Sequence, residues 1–217
     1  MNEITLKEAN KIKIFNRIEN KYLLNESSFQ IIYDFLISNY LKVRFNDLYW
    51  LRYHSLYYDT SDLRMYHDHM NNKEDRMKIR IREYQDHEAF LEIKKTVNSH
   101  SIKKRQRVQS MEIDDRLSTW ITEHADINYK DLNKILDVKY ERLSFISKDM
   151  NERITCDRNL EFYNYINDIR YKFNTTPYIL EVKKQDNSES IVEEFMDSIQ
   201  IYPTKFSKYF MGINITN

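Results

Sequence analysis

The stretch RMKIRIREY, residues 76–84, alternates with the period of two that is typical of a β-strand. Its apolar residues Met77, Ile79 and Ile81 lie on one face of such a strand. The residues on the other face are the cations Arg76, Lys78, Arg80 and Arg82. A solvated outer strand and a strand that lines a cationic site share this pattern, so the rest of the chain has to decide between them.

The same alternation predicts seven further strands, mostly joined by short links. They are expected at 12–24, 53–60, 89–95, 102–109, 137–147, 153–162 and 178–184. Helical spacing predicts helices at 26–40 (capped by Ser27 or Ser28), 61–70, 114–136, 190–199 and 205–213. Short links favour antiparallel pairing, and the helices are too few for a β-α-β alternation. These elements predict an α+β fold, an antiparallel barrel or strongly curved sheet with helices packed outside.

Charged residues recur on one face of nearly every predicted strand, whereas Cys156 falls on an apolar face and is predicted to be a core thiol. The charged set comprises Arg17, Glu19, Lys21, Glu92, Lys94, Lys103, Arg105, Arg107, Arg142, Arg153, Asp157, Glu181 and Lys183. Cations two apart on a strand lie roughly 7 Å from each other and repel by about 0.6 kcal/mol in water. Repeating such pairs requires either open water or a bound polyanion, and the residues alone leave both readings open.

The composition limits the classes of function. The 217 residues carry no formal net charge, which argues against a general nucleic-acid or membrane-surface binder. One glycine in the whole chain excludes a glycine-rich phosphate loop or dinucleotide fingerprint. The single cysteine suits a reducing compartment, and no apolar run approaches 18 residues. We therefore expect a cytoplasmic protein in one domain, 1–217, without a membrane segment of its own.

Eight motifs resemble, in order, those of the VTC domain, the catalytic module of polyphosphate polymerases within the triphosphate tunnel metalloenzyme (CYTH-like) group. They are RIENKYLL, LYYDTSDLRMYHDH, RMKIRIREY, LEIKK, VKYERLSF, RITCDRNL, ILEVKK and KFSKYFMGI. The resemblance spans residues 17–213 and implies a closed antiparallel eight-stranded tunnel barrel with a basic lining. It implies transfer of the ATP γ-phosphate to a growing inorganic polyphosphate chain. The charged face of the opening stretch would then face inward.

The resemblance also implies roles for individual residues. Those matching the catalytic phosphate-gripping positions are Arg80, Arg82, Lys94, Arg142 and Arg153. Further phosphate or nucleotide contacts are expected from Lys21, Lys103, Arg105, Tyr140, Lys183, Lys205, Ser207 and Lys208. Glu181 matches the carboxylate that holds Mn²⁺ or Mg²⁺, with Glu19 as a second candidate. Glu19 and Asp157 are open to two interpretations, as partners of tunnel cations or as metal ligands.

One departure from the wider group bears on the reaction. The triphosphatase branch typically opens with Glu-x-Glu-x-Lys, and here RIENK has Arg17 at the first glutamate position. This favours the polymerase over an inorganic triphosphatase, which remains the first alternative. A polyphosphate-binding module without turnover is the second. The expected partners are ATP and polyphosphate rather than nucleic acid, and a membrane link would have to come through a partner protein.

Overall fold

The computed structural model describes residues 2–12, 17–97, 100–173, 177–185 and 188–217. The strands are β1 (Glu3–Thr5), β2 (Arg17–Leu24), β3 (Leu41–Arg44), β4 (Leu51–Thr60), β5 (Arg76–Glu83), β6 (Ala89–Val97), β7 (His100–Val108), β8 (Leu132–Ile146), β9 (Glu152–Asn164), β10 (Ile169–Lys172) and β11 (Tyr178–Gln185). The helices are α1 (Leu6–Ala9), α2 (Glu26–Asn39), α3 (Arg64–Met70), α4 (Asp115–Ala125), α5 (Ile191–Ser198) and α6 (Lys208–Ile215). None of these helices is long and apolar enough to cross a bilayer.

Eight strands follow one hydrogen-bonded order, β2-β11-β9-β8-β4-β5-β6-β7, and β1, β3 and β10 pair beside it. The ladders of β11 with β2 and β9, and those joining β4, β5, β6 and β7, are antiparallel. The mixed fold and the antiparallel pairing agree with the prediction. Helix α1 and the short strands β1, β3 and β10 were not predicted.

The strand order has two ends, β2 and β7, so the sheet is open and the closed barrel predicted from the sequence is wrong. The free edge of β2 is occupied by a later segment, because the Thr204 N–H donates to the Lys21 carbonyl at 2.7 Å. Strand β7 is exposed over most of its length and carries Lys103, Lys104 and Arg105 in succession. Charged side chains on an edge strand oppose the addition of another strand.

The chain forms two compact units, and β8 and β9 contribute residues to both. Unit 1 comprises Met1–Leu51, Tyr140–Leu160 and Phe173–Phe206. Its main buried cluster joins α2 and α5 to one face of the strands. Members include Ile32, Leu36, Cys156, Leu180, Val182, Val192 and Met196. The predicted core position of Cys156 is confirmed, and strand alternation leaves Thr155 and Glu181 on the opposite face.

Unit 2 comprises Arg52–Lys139, Glu161–Lys172 and Ser207–Asn217. Its core includes Ile79, Ile81, Leu91, Ile93, Leu117 and Ile121, so α4 covers the apolar face of β5 and β6. Helix α6 contacts the other face of β4, where the Tyr209 and Tyr57 rings stack with centroids 5.0 Å apart. The charged residues of β5 and β6 therefore share their face with α6.

Two predicted helix boundaries are wrong. The helix expected over 114–136 ends at Ala125, and β8 begins at Leu132. Asp126 ends this helix in the left-handed conformation at φ 55°, a position for which glycine is the usual signal. Helix α2 is capped by Asn25, whose side chain accepts from the Ser28 N–H, rather than by Ser27 or Ser28. Residues 13–16 of the first predicted strand lie outside the described residues.

Candidate functional site

In unit 2, lysines form a row across three strands on the face opposite the core. Lys78 of β5 lies directly opposite Lys94 of β6, and Lys94 lies directly opposite Lys103 of β7. The register is continuous along both ladders. Like charges placed directly opposite each other destabilise a sheet. The row therefore needs compensating anions, and the protein itself supplies one.

That anion is Glu92, which is 2% exposed and pairs in register with Arg80 and Arg105. Its Oε2 accepts from Arg80 Nε at 2.8 Å and lies 2.7 Å from Arg80 Nη2, and its Oε1 accepts from Lys103 Nζ at 2.5 Å. Burial would raise the pKa of the Glu92 carboxyl, but the charges of Arg80, Arg82 and Lys103 hold that pKa well below its ordinary value. Glu92 is therefore ionised and holds Arg80 and Lys103 in place, and we call it the brace of this cluster.

Lys103 is the titratable cation of this cluster. Burial, together with the charges of Arg80 and Arg82, lowers the pKa of Lys103 to about 8, although Glu92 acts in the opposite direction. A bound anion would favour the charged amine and raise this pKa again. An anion bound to this cluster would therefore keep Lys103 charged to a higher pH.

The Arg80 guanidinium is fixed from a second side. Its Nη1 donates to the Tyr57 hydroxyl at 2.9 Å, and Tyr57 stacks on Tyr209. The Tyr209 hydroxyl donates in turn to the buried Asp59 at 2.6 Å. Burial would raise the pKa of the Tyr57 phenol, but Arg80 and Arg82 outweigh it and the pKa is lowered. Arg80 is thus held in one orientation before any ligand binds.

The remaining predicted residues of unit 2 surround this centre. Arg82 is buried, and its Nε donates to Ser55 Oγ at 3.2 Å. Lys78 Nζ donates to Ser207 Oγ at 3.0 Å, and Ser207 caps α6, of which Lys208 is the first residue. The structure therefore brings Ser207 to the cationic face of β5. Arg105 is exposed, with its guanidinium 4.8 Å from the centre of the Phe90 ring.

In unit 1, acids and bases alternate across β2, β11 and β9 on the face opposite the core. One row is Lys21, Glu181 and Thr155, and the next is Glu19, Lys183 and Arg153. Each carboxylate thus has a lysine beside it on its own strand and another directly opposite. This arrangement compensates the charges within the sheet more fully than the lysine row of unit 2 does.

Glu181 lies at the centre of this arrangement, with a side chain that is 13% exposed. Lys183 Nζ donates to Glu181 Oε2 at 2.7 Å, and Lys21 Nζ lies 3.9 Å from Oε1. Burial would raise the pKa of the Glu181 carboxyl, but Lys183, Lys21 and Arg142 hold it well below its ordinary value. Burial also lowers the pKa of Lys183, despite the attraction of Glu181 and Glu19. Glu181 is therefore an ionised carboxylate among cations.

The other predicted cations of unit 1 have protein partners. Arg142 binds Asp157 through two hydrogen bonds, Nε to Oδ1 at 2.6 Å and Nη2 to Oδ2 at 2.8 Å. Its guanidinium lies 5.4 Å from the centre of the ring of Tyr140, which is buried. Arg153 donates to the carbonyl of Ala9 at the end of α1. Asp157 therefore fits its interpretation as a partner of a cation.

Two further predicted positions involve the segment that follows α5. Lys21 Nζ donates to the Phe206 carbonyl at 3.1 Å, so the KFSKY segment begins beside β2. Lys205 is exposed. The bases predicted to contact phosphate are thus divided between the two units, and each unit has a carboxylate at the centre of its cluster.

The donor set of unit 1 fits a divalent cation only in part. The described residues contain no group of three or more His, Cys, Asp or Glu side chains arranged to hold a metal ion. Glu181 and Glu19 lie diagonally across β11 and β2, and Glu181 is ionised. Mg²⁺ and Mn²⁺ commonly take one or two carboxylates and complete their shell with substrate phosphates and water. The residues fit a metal that is bound together with substrate phosphate.

Sequence reasoning missed the roles of two residues in unit 2. Glu92 was placed on the charged face without a role, and it is the residue that organises Arg80 and Lys103. Tyr57 was given no role in the site, and its hydroxyl accepts a hydrogen bond from Arg80. Both roles depend on cross-strand register, for which a single strand carries no signal.

A family model for the VTC domain matches residues 16–217. Two solved structures are similar to the chain. A putative adenylyl cyclase from Hippeastrum, reported to have a dominant triphosphatase activity, gives a TM-score of 0.62 at 14% identity, over 93% of this chain and 97% of that one. A putative adenylate cyclase from Bacillus halodurans gives 0.60 at 12% identity, over 91% and 98%. A search of curated proteins found no match.

The two structures share the fold of this chain. The chain belongs to the VTC domain family. The resemblance inferred from the eight motifs is therefore confirmed.

Proposed function

We propose that this protein is a metal-dependent polyphosphate polymerase, which transfers the γ-phosphate of ATP to the end of an inorganic polyphosphate chain and releases ADP. The observation that carries the proposal is the row Lys78, Lys94 and Lys103, placed beside the fixed guanidinium of Arg80. Three lysines directly opposite one another favour a ligand with closely spaced negative charges. A chain of phosphates has such charges.

Phosphoryl transfer requires positioning and charge stabilisation more than covalent catalysis. In unit 2, Arg80 and Arg82 would bind phosphate oxygens in a fixed orientation, because Glu92, Tyr57 and Ser55 already hold their guanidinium groups. A bound phosphate would hold Lys103 in its charged form, because a nearby anion raises the lowered pKa of this amine. Together these residues orient the anion and neutralise its charge.

In unit 1, Glu181, with Glu19 beside it, would hold Mn²⁺ or Mg²⁺. Such an ion, when bound, neutralises charge on phosphate oxygens and orients them. Lys21 and Lys183 keep Glu181 ionised, which is the state that a metal ligand requires. Arg142 is held by Asp157 and adds a further positive charge near Glu181.

A triphosphatase that hydrolyses tripolyphosphate or nucleoside triphosphates is the second candidate. The reported triphosphatase activity of the Hippeastrum protein favours it. Arg17 favours the polymerase, because it stands where the triphosphatase branch has the first glutamate of its Glu-x-Glu-x-Lys pattern. A binding module without turnover explains the cations but gives the ionised Glu181 no role.

We further propose that residues 1–217 act as one domain in the cytoplasm. Strands β8 and β9 each contribute residues to both units, which supports a single domain. The one cysteine of the sequence, Cys156, is a buried thiol and suits a reducing compartment.

The deciding experiment incubates the purified protein with ATP and Mn²⁺ or Mg²⁺, separates the products on a gel and stains for polyphosphate. The polymerase gives long chains and a matching amount of ADP. Orthophosphate as the only phosphate product would establish the triphosphatase instead. Absence of turnover combined with tight polyphosphate binding would support the binding module. EDTA, added to a parallel reaction, should stop synthesis.

A further inference from the structure

Thr155 presents a buried hydroxyl that the fold does not use. The residue is 3% exposed, and its Oγ1 has no hydrogen-bond partner in the part of the chain that the structure describes. A buried hydroxyl without a partner lowers stability and is uncommon in folded proteins. An apolar side chain of the same shape would avoid that loss, so the hydroxyl calls for an explanation.

The position of Thr155 directs this hydroxyl to the polar face of unit 1. Its strand neighbours Ile154 and Cys156 belong to the buried core, so Thr155 points the other way. It lies directly opposite Glu181 on β11. Side chains directly opposite on antiparallel strands have their Cβ atoms about 5 Å apart. The hydroxyl therefore lies beside the central carboxylate of the cluster.

The nearby acids already have cationic partners. Asp157, two residues along β9, receives two hydrogen bonds from Arg142. Glu181 receives the hydrogen bond of Lys183, with Lys21 close by. Neither carboxylate takes the Thr155 proton, although each is a strong acceptor. The Thr155 hydroxyl is thus a hydrogen-bond donor without an acceptor among the described residues. It lies in the cluster that also contains the cations Lys21, Lys183 and Arg142.

We propose that Thr155 is a further substrate-binding residue, whose hydroxyl donates a hydrogen bond to a phosphate oxygen of the bound polyphosphate or triphosphate. This inference rests on the proposed function and adds one contact to it. The surrounding cations favour an anionic ligand. The Thr155 hydroxyl supplies a hydrogen-bond donor to that ligand without adding another charge to the cluster of unit 1. This hydrogen bond would also satisfy a hydroxyl that has no partner within the described ranges of the chain.

The test compares Thr155→Val, which removes the hydroxyl and keeps the shape, with Thr155→Ser, which keeps the hydroxyl. Tripolyphosphate is the probe, and its Kd is measured by calorimetry, first in EDTA and then with Mg²⁺. We expect about tenfold weaker binding for Thr155→Val and binding within about twofold of wild type for Thr155→Ser. The Tm of Thr155→Val should equal or exceed that of wild type, since the lost hydroxyl had no partner.

Thr122→Val is the matched control, because Thr122 is exposed on α4 and its hydroxyl donates to the Ser118 carbonyl. It should bind tripolyphosphate as wild type does. Wild-type affinity in Thr155→Val would overturn the inference and leave the proposed function intact. A clearly lower Tm in that variant would also overturn it, because the hydroxyl would then be bonded within the fold. Failure of the wild-type protein to bind tripolyphosphate would overturn both.

Discussion

Glu92, which is buried, and Glu181, which is partly buried, are both ionised carboxylates surrounded by bases, but their hydrogen bonding differs. Glu92 accepts from Arg80 and Lys103 at 2.5 to 2.8 Å, and both of its oxygens are engaged. Glu181 has one short contact, with Lys183, while its Oε1 has an ion pair of 3.9 Å with Lys21. The first carboxylate is saturated by the protein. The second retains coordinating capacity beside Thr155, whose hydroxyl has no hydrogen-bond partner among the described residues.

This difference leads us to predict different roles for the two carboxylates. Glu92 is a structural brace that orients cations, and removing it should disturb the fold of unit 2. Under the proposed function Glu181 would hold the metal, so removing it should affect turnover more than folding. Isosteric substitutions separate these roles, because glutamine keeps the shape of glutamate and loses its charge.

The largest expected effect is on turnover in Glu181→Gln. We expect kcat to fall at least 100-fold, because the metal-holding charge is lost. Polyphosphate affinity measured in EDTA should change by less than about threefold. Steady-state assays of ADP release and calorimetric titration provide the two numbers. Full activity in this variant would show that the metal assignment is wrong.

Glu92→Gln should instead lower the stability of the fold more than it lowers turnover. Removing the brace leaves Arg80 and Lys103 without their partner, and we expect a loss of about 2 kcal/mol in the free energy of unfolding. That figure is smaller than for a fully buried pair because Lys103 is 38% exposed. Chemical denaturation measures it. Unchanged stability would mean that Glu92 is not a brace.

Gly212→Ala tests whether lost stability in unit 2 explains lost binding. A Cβ at this position would lie 2.5 Å from the buried side chains of Leu136 and Phe162, so we expect a loss of about 1–2 kcal/mol. No charge changes. If this variant binds tripolyphosphate as wild type does under folded conditions, any weaker binding in Glu92→Gln is due to the misplaced cations rather than to instability.

Arg80→Lys keeps the charge and removes the planar fork. We expect about tenfold weaker tripolyphosphate binding, because a lysine cannot contact Glu92, Tyr57 and phosphate together. The Kd should be measured at two salt concentrations. A similar salt dependence in both proteins would show that geometry, rather than charge, was lost. Equal affinity would contradict the role of the fork.

The smallest effect is a pH dependence due to Lys103. Its pKa is about 8 in the fold, against an ordinary 10.5, so its charge is lost as the pH rises through 8. Tripolyphosphate affinity should fall about threefold between pH 7 and 9. Between these pKa values the unfolded chain holds the extra proton, so stability gains from this residue as the pH rises. Lys103→Arg should remove its contribution to both trends, while the ionisation of the ligand affects both proteins equally.

Strand alternation predicted the charged face of β5, β6 and β7, and the core position of Cys156, because the period of a strand is local. The motifs predicted the family. The pairing of Glu92 with Arg80 and Lys103 could not be read from the sequence, since it depends on which residues of two hairpins face each other. The prediction of a closed barrel failed for a similar reason, because strand edges are set by non-local contacts. The end of α4 was missed because Asp126 gave no glycine signal.

The lysine row also has a consequence for the isolated protein. The repulsion between Lys78, Lys94 and Lys103 is screened least at low ionic strength, so added anions should have their largest effect there. Sulfate or phosphate would collect there and raise the apparent melting temperature in proportion to the logarithm of its concentration once the row is occupied. The choice of buffer salt therefore changes the occupancy of this row, and under the proposed function polyphosphate would compete with any buffer anion bound there.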